Sequence, residues 1–167
     1  MTEPLFRADA YLREAEGRVL SASDDGIVLD RSIFYPTGGG QPGDAGVLEW
    51  DGGSTPITTT SKAEGDAILL IPDTGATMPP VGATVLQSLD WQRRYAHMRV
   101  HTALHLLSVV IPLPVSGGSI GTEKGRLDFD MPDAPEDKQA LQDSLNALIA
   151  ADHEVTEDWI SEADLDA

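Results

Sequence analysis

The sequence predicts an α+β chain: a small β-barrel over residues 1–89, then a helix-bearing part over residues 90–167. Two observations carry this. Short apolar or β-branched runs separated by Asp-Asp-Gly, Asp-Gly-Gly and Pro-Pro-x-Gly punctuation fill the first ninety residues. At Asp90 the pattern changes to a 3.6-residue period.

Strands are expected at Phe6 to Leu12, Arg18 to Ala22, Gly26 to Leu29, Ile33 to Tyr35, Gly46 to Trp50, Pro56 to Thr60, Ala67 to Ile71 and Thr84 to Leu89. The window from Ala8 to Glu16 is the most ambiguous. Asp90 is placed to cap a helix from Trp91 to about Val110, with Trp91, Tyr95, Met98, Leu106 and Val109 on one face. Ala103, Leu107 and Val110 lie on the other side, so this helix is apolar nearly all round and is expected to be buried and central. His97, His101 and His105 form an adjacent stripe that could face a cleft; for His97 a packing role, or one supporting a ligand from behind, is expected over ligation.

Ile111-Pro112-Leu113-Pro114 ends that helix. Ser116-Gly117-Gly118-Ser119 reads as a loop, and Arg126 to Asp130 alternates like a half-exposed strand. Asp133 with Glu136 makes a capping-box start to a second helix striped by Leu141, Leu145, Leu148 and Ile149. His153 to Ile160 reads as a further strand, and Ser161 to Ala167 as the first turn of an interrupted element.

With 167 residues the chain can bury one sizeable core or two small ones. Its longest apolar stretch, Leu104 to Val115, falls well short of the ~20 residues that span a bilayer. The N-terminus has no basic or apolar leader, so the expectation is a cytoplasmic protein with no membrane partner. There are no cysteines, which removes disulfides, thiol nucleophiles and thiolate zinc ligands; any metal must be held by His, carboxylate or water.

The formal net charge of −17 opposes indiscriminate nucleic-acid binding. Its distribution is uneven: residues 1–90 carry −9, residues 132–167 carry −10, and residues 91–131 carry +2. The net-cationic segment also holds the His pair, so a nucleic-acid end could be steered there.

Two motifs bear on chemistry. His101-Thr-Ala-Leu-His105 places two imidazoles on one helix face roughly 6 Å apart, near enough to grip one zinc ion. A metalloprotease would need Glu directly after the first His, and Thr102 stands there. The glycine run Thr37-Gly38-Gly39-Gly40-Gln41 is followed by no Lys, which excludes a Walker-type phosphate loop and leaves a turn or a substrate-handling loop.

Three stretches together carry a family resemblance. Phe34-Tyr-Pro-Thr-Gly-Gly-Gly-Gln-Pro-Gly-Asp-Ala-Gly46, then Arg94-x-x-His97-Met98-x-x-His101-Thr-Ala-x-His105-Leu-Leu107, then Gly125-Arg-Leu-Asp-Phe129 resemble, in order and spacing, the AlaX-type trans-editing proteins and the editing domain of alanyl-tRNA synthetase. The resemblance implies a glycine-motif β-barrel over 1–89 and, over 90–167, an α/β editing domain of the threonyl/alanyl-tRNA synthetase type. The activity it implies is hydrolysis of serine or glycine from mischarged alanine tRNA. Such a second site corrects a small apolar pocket that rejects an added hydroxyl poorly.

Carried over, His101 and His105 correspond to two zinc ligands. Thr37 matches the residue associated with reading the serine hydroxyl, and Gln41 the polar residue near the substrate. With His101, these two are the expected catalytic residues; Gly38, Gly39, Gly40, Arg94 and Arg99 are the expected tRNA-binding residues. The family's Cys-x-x-x-His zinc half has no counterpart here, so zinc is expected to bind weakly or not at all, and the domain reads as truncated. His153 is a poor substitute ligand. A second copy of the chain is a further candidate partner. The alternative expectation is a non-catalytic module binding the tRNA acceptor end or a protein.

Overall fold

The computed structural model describes residues 1–156 and 158–165. Six strands close into an antiparallel barrel: β2 (Glu14–Ser23), β3 (Gly26–Leu29), β5 (Gly46–Trp50), β6 (Gly53–Ala63), β7 (Ala67–Pro72) and β8 (Thr84–Leu89), in the order β2-β3-β7-β6-β5-β8. Closure leaves no unpaired edge in that sheet. Alternate residues point inward, and Val19, Ile27, Leu29, Leu48, Ile57, Ile68, Leu70 and Val85 fill the centre with Ile33 and Phe34. A two-residue parallel pair, β1 (Glu3–Pro4) with β4 (Arg31–Ser32), lies outside the barrel sheet.

Two strands expected before residue 90 are absent, for reasons the hydrogen bonds supply. Ile33 to Tyr35 lies outside the strands, and its amides pair with side chains in place of a ladder. Gln87 Oε1 accepts from the amide of Ile33, Ser32 Oγ from that of Phe34, and Asp44 from that of Tyr35. Phe6 to Leu12 instead forms a single helical turn, α1 (Leu5–Ala8), and a bend in which the Asp9 carboxylate accepts from the amide of Tyr11. Leu5, Phe6 and Leu12 still pack on the barrel core, so their hydrophobicity signalled burial and not strand.

Helix α2 (Trp91–Val110) begins and ends where its period predicts, with the Asp90 carboxylate accepting from the Arg93 amide. It is not the all-round buried helix expected. Only Arg94 and His97 are buried, and Val109 is 66% exposed. Strand β9 (Val115–Ile120) pairs antiparallel with β10 (Gly125–Phe129), so the expected loop at 116–119 is a strand. Its glycines read as loop by composition, and pairing with Arg126 to Asp128 overrides them.

The second long helix, α3 (Lys138–Ala150), starts later than the capping box suggested. Asp137 is the cap, its carboxylate accepting from the Ala140 amide. Leu141, Leu145 and Leu148 are half-buried, while Ile149 is exposed. No strand occurs between 153 and 160 among the described residues, and Trp159 there is 98% exposed. A short helix, α4 (Glu162–Leu165), follows. No described helix is long and apolar enough to cross a membrane.

Candidate functional site

The glycine segment is a closed loop. Tyr35 and Asp44 bond at its neck: the Tyr35 amide donates to the Asp44 carboxylate at 2.6 Å, and the Asp44 amide donates to the Tyr35 carbonyl at 2.9 Å. At the tip, Gly38 and Gln41 exchange backbone hydrogen bonds around Gly39 (φ 58°) and Gly40 (φ 76°). Two successive positive φ values match a type I′ turn, which favours glycine at both positions. Gly43 is required for another reason: a Cβ there would collide with the carbonyl of Thr60.

Helix α2 clamps this loop from one side. Arg94 Nη2 lies 2.6 Å from Asp44 Oδ2 and donates also to the Ile33 carbonyl, Nε reaches both Asp44 oxygens, and Nη1 donates to the Ala10 carbonyl. Arg94 is 3% exposed. Its expected role in binding tRNA is therefore corrected: its donors are spent on the protein, and it is a structural clamp. Arg93 Nη2 is also turned inward, to the carbonyl of Gly43. Arg99 stands exposed further along the helix.

Two turns beyond Arg94, His101 Nδ1 lies 3.0 Å from Gln41 Oε1. The amide oxygen can only accept, so Nδ1 carries the proton and Nε2 keeps a free lone pair. Burial, and then the neighbouring His105, push the His101 pKa down from its ordinary 6.5, which favours the neutral ring. The His101 and His105 rings stack with centroids 4.9 Å apart. His97 is buried in the same stripe, its Nδ1 unpartnered; burial, then the charge of Arg93, lower its pKa too.

His101 and His105 line a cavity of about 320 Å³ with Gly39, Gly40, Leu104 and the glycine-rich face of β9. The glycine turn is seated on that strand by a hydrogen bond from the Ile120 amide to the Gly40 carbonyl, 2.9 Å. A second cavity, of about 330 Å³, has Gln41 in its wall. The expected catalytic set is thus only partly assembled: Gln41 and His101 are joined, while Thr37 lines neither cavity. The Thr37 hydroxyl donates to the Thr60 carbonyl and accepts from the Gly43 amide. Gly39 and Gly40 do face the His pair; Gly38 sits against Lys62.

Asp44 and the β9 glycines, Gly117 and Gly118, have site roles that sequence reasoning missed. Asp44 and Arg94 each stand inside a motif, but fifty positions of separation hide their pairing. The β9 glycines gave only a loop signal.

The donor set decides what metal the pair could hold. Among the described residues no third His, Cys, Asp or Glu joins these two. A zinc site takes three or four protein ligands, so His101 and His105 fit half of one.

Comparison with known proteins agrees with this architecture. A sequence profile for the family described as "tRNA synthetases class II (A)" matches residues 8–93. The alanyl-tRNA editing protein AlaX-M of Methanosarcina acetivorans is 39% identical, the match covering 93% of this chain and 68% of that protein. AlaX-M of Pyrococcus horikoshii is also 39% identical, covering 80% of this chain and 62% of its own length. Alanine–tRNA ligase of Thermococcus kodakarensis is 32% identical over 95% of this chain and 18% of its own length. The chain spans about two thirds of the length of the AlaX-M proteins it matches. It belongs to the family of the AlaX alanyl-tRNA editing proteins and the related part of alanyl-tRNA synthetase.

Proposed function

We propose that the chain hydrolyses the ester of alanine tRNA mischarged with serine or glycine, acting in trans, at the cleft between the glycine turn and helix α2. One observation carries this reading: the hydrogen bond that spends His101 Nδ1 on Gln41 and leaves Nε2 free beside the cleft. The names of the relatives support alanyl-tRNA editing, and serine and glycine are what the family resemblance implies.

In this reading His101 Nε2 accepts a proton from water as the water oxygen attacks the ester carbonyl carbon. The tetrahedral intermediate expels the ribose oxygen, which takes up the proton and leaves as a hydroxyl. The Gly39 and Gly40 amides, which have no hydrogen-bond partner among the described residues, are available to the developing oxyanion. Zinc is proposed only as a partner of His101 and His105, completed by donors beyond this pair. Zinc held there would take the Nε2 lone pair, so the general-base step above belongs to the zinc-free ring, and zinc would instead supply a Lewis acid for the ester or its water.

The test is release of serine and glycine from mischarged alanine tRNA by the chain and by His101→Ala, with zinc content measured alongside. Loss of a positioned general base should cost about 10²–10⁴-fold in rate. Wild-type release no faster than the spontaneous rate would overturn the reading. It would favour the second one, a non-catalytic module for the acceptor end, which the half-built ligand pair supports.

A further inference from the structure

The second cavity shares Gln41 with the His site but none of the residues around the His pair. Its wall includes Phe6, Arg7, Tyr35, Pro36, Lys62 and Met98. Phe6 and Tyr35 meet edge to face, with centroids 5.5 Å apart. Lys62 reaches over the glycine loop, its Nζ 3.5 Å from where a Gly38 Cβ would stand.

What sets this cavity apart is that two unpartnered cations share its wall. Acids outnumber Lys and Arg 28 to 11, so a cation would readily find a carboxylate. Arg31, Arg94 and Arg126 do. Arg13 stacks on Trp91, and Arg18 and Arg93 donate to carbonyls. Among the described residues Arg7, Lys62, Arg99, Lys124 and Lys138 have no carboxylate within 4.0 Å and no carbonyl or ring partner, and of these Arg7 and Lys62 line one cavity together. Two uncommitted cations with an aromatic pair form the combination that takes a phosphate and stacks the adjoining base.

We propose that this cavity is a binding subsite for single-stranded RNA, in which Arg7 and Lys62 hold a backbone phosphate and Phe6 with Tyr35 receives the neighbouring base. Gln41 stands in the wall of this cavity and is bonded to His101, so a strand seated there ends beside the His cleft. The choice of RNA rests on the proposed function; the anion chemistry rests on the cavity alone.

The experiment is fluorescence anisotropy with a labelled RNA hairpin ending in an unpaired, unacylated 3′ tail. It compares the 167-residue chain, the Arg7→Gln/Lys62→Gln double variant, and Arg18→Gln as an exposed control remote from the cavity. Both cavity cations are on the surface of the cavity wall, so their loss should leave the fold intact. The double variant is expected to bind about tenfold more weakly or worse, with a salt slope shallower by about 0.7 for each phosphate no longer neutralised. Arg18→Gln should bind as wild type, and a tail-less hairpin should bind more weakly than the tailed one. Inorganic phosphate competing as well as the tailed hairpin, at equal phosphate concentration, would overturn the RNA subsite and leave a free-anion site. A double variant within twofold of wild type, or matched by Arg18→Gln, would also overturn the inference. The two readings can fail separately. Tail binding through Arg7 and Lys62 without ester hydrolysis keeps the subsite and sinks the hydrolase. Hydrolysis unaffected by the double variant does the reverse.

Discussion

In the proposed reaction Gln41 acts on the cleft through His101. Its oxygen, 3.0 Å from Nδ1, selects the tautomer and turns the ring so that the other nitrogen is free. Thr37 is different. Its hydroxyl proton goes to the Thr60 carbonyl and one lone pair takes the Gly43 amide, so it fastens the loop from outside both cavities. Thr37→Val is therefore expected to slow release of serine and glycine equally, read as the ratio of the two rates. A loss confined to seryl-tRNA would restore the hydroxyl-reading role that the resemblance implied. His101 and His105 were legible from spacing because a helix has a fixed period, whereas Gln41 was legible only through the family motif. The burial of Arg94 was not legible at all, since a lone Arg in a net-cationic segment reads as surface until its partner fifty positions away is known.

The glycine loop and helix α2 work as one unit, and the buried Arg94 and Asp44 pair is what joins them. Removing one member strands the other as an uncompensated charge. Arg94→Met is expected to cost about 3–5 kcal/mol in urea unfolding. A cost below about 1 kcal/mol would mean that the clamp contributes little. The barrel strands and α2 could be read from sequence because period, turn residues and cap agree there. Ile33 to Tyr35 could not, because its hydrogen bonds go to Gln87, Ser32 and Asp44 side chains, which no local pattern reveals. β9 was hidden for the opposite reason: Gly117 and Gly118 weaken a strand locally, yet they ladder with Asp128 and Leu127 of β10, and a Cβ at Gly118 would meet the Arg126 carbonyl at 2.9 Å.

For the whole molecule, the −17 charge sets a field repulsive to nucleic acid, relieved in the net-cationic segment 91–131 and where Arg7 and Lys62 share one cavity wall. Global stability should also carry a signature of His97. Burial first, then Arg93, with Arg94 adding and Asp44 and Asp90 opposing, lower its folded pKa below 6.5. The unfolded chain thus takes up a proton that the folded chain resists. His97 costs nothing well above pH 6.5, and destabilises increasingly as pH falls from there toward the folded pKa. Between about pH 7.5 and 5.5, wild type should lose more stability than His97→Gln in urea melts, and parallel curves would contradict this. The central claim is that Gln41 works through His101 at one ester-cleaving site. The most direct measurement is a double-mutant cycle of deacylation rates on seryl-tRNA for alanine, using Gln41→Ala, His101→Ala and both together. The account predicts about a 10–100-fold loss for Gln41→Ala and a double variant no slower than His101→Ala alone. Losses that multiply would show two independent contributions and contradict it.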